Sequence, residues 1–336
     1  MHEAAAERFH FRALGLVFSS RLELPGWLAA SSTDSEGSEG ADVALRLQER
    51  PEIEPGWREV TRSQHRGHEG EPLVVVDERA GERRFRYHDG ARFHVAADGR
   101  RAWLDWPEET SLEAVWLYFC GPVLTWILRL HGRVVLHAAA VSTEHGAVLL
   151  AGPSGAGKST TAAGLALAGC RLLSDDTAAL TEDVGRQDGQ STLRVWPDSP
   201  RLRLWPGSGP AIQAVDVAAL PPLCDGWEKR ALDAEAFEAE PQPVVAVYCL
   251  QPGQRTSFEP VPPARALPLL VAHAAAAELE DREMRRREFE WLSEMAEGVP
   301  VVLVTRPDGL DLAPTLLADL ERRVAGSPAE NGAVRV

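Results

Sequence analysis

The chemistry-bearing residues of this chain crowd into one stretch, AVLLAGPSGAGKSTTAAGLALAGCRLLSDDTAAL, running from Ala147 to Leu180. Within it Gly152, Gly157, Lys158 and Ser159 satisfy G-x-x-x-x-G-K-[ST], the pattern of a phosphate-binding loop. Gly155 and Gly157 allow backbone N–H groups to turn inward as a nest for phosphate oxygens, and a helix opening near Ser159 adds its positive dipole end. The binding segment is thus Gly152, Pro153, Ser154, Gly155, Ala156, Gly157, Lys158, Ser159 and Thr160. Lys158 has the reach for β- and γ-phosphates, and the Ser159 hydroxyl suits a nucleotide-borne Mg²⁺. The pattern therefore implies a nucleoside triphosphate, or a molecule built like one, accompanied by Mg²⁺.

Asp175 and Asp176 follow Lys158 by 17 and 18 residues. If the strand at Ala147 and the strand at Arg171 are parallel neighbours joined by the helix, both aspartates reach the carboxyl edge of the sheet and face the γ-phosphate. One carboxylate would then help hold Mg²⁺, with Ser159, and the other would take a proton from an attacking hydroxyl. Residue type and spacing alone leave open which of the two takes which task. An adjacent pair repels itself unless a cation offsets the charge, which argues against a plain turn. His137 stands inside the apolar run VVLHAAAV, where residue type alone leaves a core histidine and a functional one both open. Arg201 and Arg203 share one face of the extended WPDSPRLRLWP, and Lys229-Arg230 form a second basic pair. Each of these four is open to phosphate contact or to a surface ion pair.

These residues need a scaffold. Of 336 residues, 35 are basic and 50 acidic, giving a net charge of −15 that disfavours a protein tracking nucleic-acid phosphates. The mean hydropathy of −0.20 is that of an ordinary water-soluble domain protein. Cys120, Cys170, Cys224 and Cys249 have no metal-ligand spacing and are expected as reduced core thiols of a cytoplasmic protein. The N-terminus has no uninterrupted apolar h-region. The longest apolar run, Ala114 to Leu128, is too short to span a membrane and is broken at Gly121-Pro122, so a kinked buried helix is expected.

Residues 1–131 read as a smaller β-rich (α+β) domain. Its strands are expected within Phe9 to Leu24 and at Asp42 to Leu47, Leu73 to Val76, Arg83 to Tyr87, Arg92 to Ala96 and Ala102 to Trp106. The acidic Ser31 to Gly40 reads as an unstructured loop, and a capping box of Thr110 and Glu113 as the start of the apolar helix. From residue 132 to 325 apolar strands alternate with helices, the mark of an α/β domain. Expected strands are Val134 to Val141, Ala147 to Ala151, Arg171 to Ser174, Thr192 to Trp196, Val244 to Leu250 and Val301 to Thr305. Expected helices are Ser159 to Ala168, Ala264 to Ala277, Glu278 to Glu297 and Ala313 to Val324, before a frayed tail at 326–336.

The stretch VVLHAAAVSTEHGAVLLAGPSGAGKSTTAAGLALAGCRLLSDDTAAL resembles the HPr kinase/phosphorylase family, and more closely its related kinases. His137 stands 21 residues before Lys158, and an aspartate pair closes the strand after the helix, as in that family. FSSRLELPGW, SPRLRLWP and VPVVLVTRP extend the resemblance loosely over nearly the whole length. It implies a P-loop kinase domain similar to phosphoenolpyruvate carboxykinase, acting on a serine hydroxyl of a peptide or small protein. It also implies Asp176 as general base, Lys158 on the transferred phosphoryl group, and Ser159 on Mg²⁺, with His137 and Arg203 in the active site. Where HPr kinases carry Glu-x-Arg, this chain reads Arg201-Leu202-Arg203; Arg203 matches, the glutamate is missing, and Asp198 is the substitute at hand. The basic loop associated with dephosphorylation has no clear counterpart. The related subgroup resembles enzymes that phosphorylate ribosomally made precursors, lasso peptides among them. The resemblance points towards a homo-oligomer with ATP as its nucleotide, while the charge and the short apolar run lead to the expectation of no nucleic-acid or membrane partner.

Overall fold

The computed structural model describes residues 8–29, 41–49, 55–64, 66, 70–183, 192–212, 214–309 and 311–325. The acidic loop expected at Ser31 to Gly40 and the tail at 326–336 lie outside them. The chain divides into two compact units, one of residues 1–133 with 276–281, the other of residues 134–275 with 282–336. The sequence boundary was drawn at 131/132, with no return of the chain to the first unit.

The first unit is built on eight strands: β1 (Phe9–Ala13), β2 (Leu16–Ser20), β3 (Val43–Leu47), β4 (Arg58–Arg62), β5 (Val74–Arg79), β6 (Glu82–Tyr87), β7 (Arg92–Val95) and β8 (Arg101–Asp105). They form one sheet in the order β1-β2-β3-β8-β7-β6-β5-β4. β4 was not anticipated, because REVTR is polar on both faces and largely exposed. Aromatic side chains fill the core of this unit; the Trp27 ring lies 4.5 Å from Phe18 and 4.7 Å from Trp116. The apolar run folds as two short helices, α1 (Leu112–Tyr118) and α2 (Leu124–Leu130), joined by a π-turn at Phe119–Val123 in which Gly121 leaves helical geometry. The capping residue is Ser111, whose side chain accepts from the Ala114 N–H. The Thr110–Glu113 box is therefore displaced by one residue: the Thr110 N–H is already committed to the Pro107 carbonyl as the chain turns. The buried guanidinium of Arg129 pairs with buried Glu280.

The second unit carries the phosphate-loop stretch. Its strands are β9 (Val134–Leu136), β10 (Ala138–Thr143), β11 (Gly146–Ala151), β12 (Arg171–Ser174), β13 (Ala178–Asp183), β14 (Thr192–Val195), β15 (Arg201–Leu204), β16 (Arg230–Asp233), β17 (Gln242–Pro252), β18 (Ser257–Val261) and β19 (Val301–Arg306). Nine of them form a mixed sheet. The path runs β12-β10-β11-β17-β14-β13-β9, and β19 pairs with both β17 and β18. β15 and β16 make a separate antiparallel ribbon. The helices are α3 (Lys158–Leu167), α4 (Pro263–Ala272), α5 (Arg282–Gly298) and α6 (Ala313–Val324).

Both faces of the central strands are dry, and successive residues of β11 show it. Val148 and Leu150 join a core with Ala162 and Leu165 of α3 and Leu316 and Leu320 of α6. Leu149 and Ala151 join the opposite core with Leu270 of α4 and Leu292 and Met295 of α5. A strand covered on both faces reads as a continuous apolar run, which is why VLLA gave no alternation. Among the described residues no helix is long and apolar enough to cross a membrane.

Three expectations need correction. Val134 to Val141 is not one strand: it breaks at His137, β9 pairing with β13 while β10 pairs with β11 and β12. The strands at Ala147 and Arg171 are not neighbours, since β10 lies between them and runs antiparallel to each. The helix expected to reach Ala277 ends at Ala272, and the next begins at Arg282, because Ala276 adopts left-handed geometry and a single 3₁₀ turn follows.

Leu149 is fully buried in the sheet. Leu149→Ala should cost about 2–5 kcal/mol in urea denaturation, whereas Leu167→Ala, at an exposed helix end, should stay within about 0.5 kcal/mol. Equal costs at the two positions would contradict the two-faced packing.

Candidate functional site

The strand directions collect the chemistry at one edge. Because β10 is antiparallel to both β11 and β12, those two run the same way; β17 is parallel to β11, and β19 to β17. Ala151, Ser174 and Arg306 thus end their strands on the same side of the sheet. Gly152 to Ser159 leave from the first and Asp175-Asp176 from the second. β10 starts at this edge, with Ala138 opposite Ala151, so His137 is delivered beside the loop from the other direction. Ligands gather at such carboxyl edges, where strand ends leave a crevice between diverging connections.

The loop geometry is set by what lies against it. Gly157 has φ +93°, and a Cβ there would meet the Arg306 Nη1 at 1.8 Å. Gly152 has φ +151°, and a Cβ would meet the Leu250 carbonyl at 2.6 Å. At Gly152 backbone blocks any side chain, while at Gly157 it is the left-handed φ that favours glycine, since the Arg306 end could shift. The Lys158 ammonium turns back over the loop, donating to the carbonyls of Gly152 (2.9 Å) and Pro153 (3.2 Å). Burial pulls its pKa down, and the carboxylates of Asp176 and Asp175 oppose that shift.

Asp175 is 2% exposed and has both oxygens engaged. Oδ1 accepts from the Ser159 hydroxyl at 2.8 Å, and Oδ2 accepts from the Arg203 N–H at 2.8 Å. Burial and the neighbouring Asp176 charge push its pKa up to about 6, against the lowering effect of these two hydrogen bonds. Asp176 sits with φ +67°, a left-handed conformation that aspartate tolerates better than most residues. Its Oδ2 lies 3.7 Å from both Arg203 Nη1 and Lys229 Nζ. Burial alone would raise its pKa, but Lys229, Arg203, His137 and Lys158 together hold it below the usual value. The His137 Nδ1–H donates to the Asp176 carbonyl at 3.0 Å, which fixes the tautomer since the carbonyl only accepts. Burial and Lys158 depress the imidazole pKa, so the ring is neutral at neutral pH.

A cavity of about 370 Å³ opens over the loop. Of the residues predicted from sequence, His137, Ser154, Gly155, Gly157, Lys158, Ser159, Thr160, Asp176 and Arg203 line it. Gly152, Pro153 and Ala156 contribute backbone beneath, and Asp175 lies buried behind Ser159. Asp198 is buried with its N–H on the Leu173 carbonyl and is not among the lining residues. Arg201 is drawn away to Asp233 at 2.7 Å, so Arg201 and Arg203 do not act together. Of the pair Lys229-Arg230, only Lys229 enters the site.

Sequence reasoning missed Trp205, Ser208, Arg306 and Asp308, all of which line the cavity. Trp205 is 46% exposed, with the Lys229 ammonium 5.6 Å from its ring centroid. Ser208 meets the Thr160 hydroxyl at 3.0 Å. The signal for Arg306 was its place, a cation directly ending the buried strand VVLVT.

Ser159 and Asp175 present hard oxygen donors, and the buried carboxylate lacks a full counter-charge, so the pair fits a small divalent cation. No group of three or more His, Cys, Asp or Glu able to hold a metal occurs among the described residues.

The folded pKa of Asp175 lies above the ordinary value of 3.8 and reaches about 6. Between those values the folded state binds more protons, so this residue makes stability fall as pH rises through the window. In metal-free buffer the fall due to Asp175 should be on the order of 1–3 kcal/mol. Urea titrations from pH 4 to 7.5 should show that slope in the wild type and a shallower one in Asp175→Ala. Identical slopes would contradict the assignment.

No protein-family model matches the chain, and no curated protein matches its sequence. Among solved structures it is similar to the Hpr(Ser) kinase/phosphatase from Coxiella burnetii, at 13% identity and a TM-score of 0.30, covering 57% of this chain and 95% of that one.

Proposed function

We propose that this protein is a phosphotransferase that moves the γ-phosphoryl group of ATP onto a hydroxyl, with a serine of a peptide or small protein as acceptor. One observation supports this above the rest. The Asp176 carboxylate stands between Arg203 and Lys229 at the cavity lined by the phosphate loop, one residue from the buried Asp175–Ser159 couple. A site that only gripped nucleotide would have no use for a second carboxylate there, since it repels the phosphates.

In this reading the loop N–H groups and the α3 dipole hold the phosphate chain. Lys158 exchanges its loop carbonyls for the transferred phosphoryl group. The acceptor oxygen attacks the γ-phosphorus and its proton passes to Asp176. The bond from the γ-phosphorus to the β–γ bridging oxygen breaks, and ADP leaves. Ser159 and Asp175 are the residues to hold Mg²⁺, which when bound supplies charge neutralisation at the β- and γ-oxygens. Arg203 and Lys229 keep Asp176 ionised at neutral pH and aim it. Neutral His137 supports the Asp176 backbone through its carbonyl, fixing the unusual φ.

Trp205 offers an exposed apolar ledge at the cavity mouth, a surface suited to a polypeptide segment beside the acceptor serine. A ribosomally made precursor peptide, of the lasso type suggested by the resemblance, is the acceptor we propose to test first.

Asp176→Asn is a clean probe, since asparagine also tolerates positive φ. Turnover should fall by roughly 10²- to 10⁴-fold, the usual weight of general base catalysis, while nucleotide affinity stays within a few-fold. Labelled ATP, supplied with precursor peptides and with small hydroxylated metabolites, should place label on peptide serine. An Asp176→Asn protein with wild-type turnover would remove the base; label on metabolites alone would remove the peptide acceptor.

A further inference from the structure

Arg306 takes no part in the steps above, yet the structure places it against the phosphate loop. It is the last residue of β19, is 5% exposed, and lines the same cavity as Lys158 and Ser159. Its Nη1 lies over Gly157, occupying the space a side chain would need. Its hydrogen bonds are modest: Nε donates to the Pro307 carbonyl at 3.2 Å, and Nη1 to the Ala156 carbonyl at 3.4 Å. Among the described residues Nη2 has no hydrogen-bond partner, and no carboxylate lies within ion-pair distance of the guanidinium. Exposed Asp308 is the one charged group that acts on it, more weakly than burial does. A buried cation without a paired anion is costly, and proteins keep such an arrangement where an anion is to be supplied.

Position along the loop decides which part of an anion it meets. The reacting end is marked by Asp176 with Arg203 and Lys229 3.7 Å from its carboxylate, whereas the guanidinium of Arg306 is held on the loop itself, over Gly157 and on the Ala156 carbonyl. Ser208, paired with Thr160 of the first turn of α3, and Asp308 line the cavity with it. We propose that Arg306 is a binding residue for the non-transferred phosphates of the nucleotide, gripping the chain where the loop passes Ala156 and Gly157. This rests on the phosphate-loop reading above and extends it to a residue from the far end of the chain.

A contact to phosphates whose bonding does not change is equally strong in the ground and transition states, so its loss falls on affinity rather than on turnover at saturation. A pure clamp on the loop carbonyls would instead disturb the loop and the chemistry together. Nucleotide affinities of Arg306→Gln for ATP and ADP, measured by calorimetry, should each drop by roughly ten- to a hundredfold and by a similar factor, the scale of a charge-assisted hydrogen bond. The turnover number at saturating ATP should change far less than KM. Unchanged affinity for both nucleotides, or a turnover loss without an affinity loss, would overturn the proposal. Should Arg306→Gln be recovered unfolded, Arg306→Lys decides by the same two readings, since lysine keeps the charge and loses the fork. Lys158→Ala, run in parallel, separates this proposal from its foundation. A wild type that binds no nucleotide refutes the phosphate-loop reading itself, whereas binding that is weakened by Lys158→Ala and untouched at Arg306 refutes only the role given to Arg306.

Discussion

The buried carboxylate of Asp175 is the constraint around which the second unit is arranged. It ties three segments that are distant in sequence: the end of β12 through its own backbone, the first turn of α3 through Ser159, and β15 of the β15–β16 ribbon through the Arg203 N–H. A carboxylate this deep, beside a second negative charge, is expensive to ionise, and only full engagement of its oxygens makes the position tolerable. The two donors offset part of that cost and leave the rest to be met by a cation or a proton. The same bond that brings Arg203 into register with Asp175 sets its guanidinium 3.7 Å from Asp176. A buried hydrogen bond and an ion pair at the cavity therefore come from one residue.

The break at His137 has a similar double effect. β9 and β13 pair with each other on one part of the sheet, while β10 and β12 pair on another, so the chain changes partners at 137 and again at 175–177. Two crossings at one edge force His137 and Asp176 together, and their hydrogen bond closes the gap between the strand pairs. Switch points of this kind create a crevice without any special loop, because neighbouring strands lead their chains apart. Here the crevice falls beside the phosphate loop.

How much of this was legible beforehand depended on the range of the interaction concerned. The phosphate loop is local: eight consecutive residues encode the glycine turn and the helix start, which falls at Lys158, one residue before the place expected. The Asp175-Asp176 pair was located through its distance from Lys158, which survives the insertion of β10 because strand direction, not adjacency, carries it to the edge. The identity of the partners was not legible. Lys229 meets Asp176 only because β16 pairs with β15, a ribbon of four-residue strands with weak patterning in a segment rich in Pro, Gly and Asp. Arg306 reaches the loop through β19, far along the chain, and no spacing rule connects the two. The single strand expected at Val134 to Val141 failed for a related reason, since a run of small apolar residues looks the same whether it is one strand or two with a change of partner.

Charge gives the site a direction that the whole molecule lacks. The chain carries a net −15, so its surface as a whole repels polyanions. The cavity does the opposite: Lys158, Arg203, Lys229 and Arg306 line it against Asp176 and Asp308, with Asp175 behind. A low-dielectric cleft focuses such a local excess of positive charge at this one place. Within the cleft the two adjacent carboxylates are driven apart in character, Asp175 upward by burial and its neighbour, Asp176 downward by the cations around it. Environments that separate the pKa values of neighbouring acids assign them different tasks. The left-handed turn at Asp176 is the device that allows it: it points one carboxylate back into the core towards Ser159 and the next out towards Arg203 and Lys229, so that consecutive residues at one strand end face the core and the cavity separately.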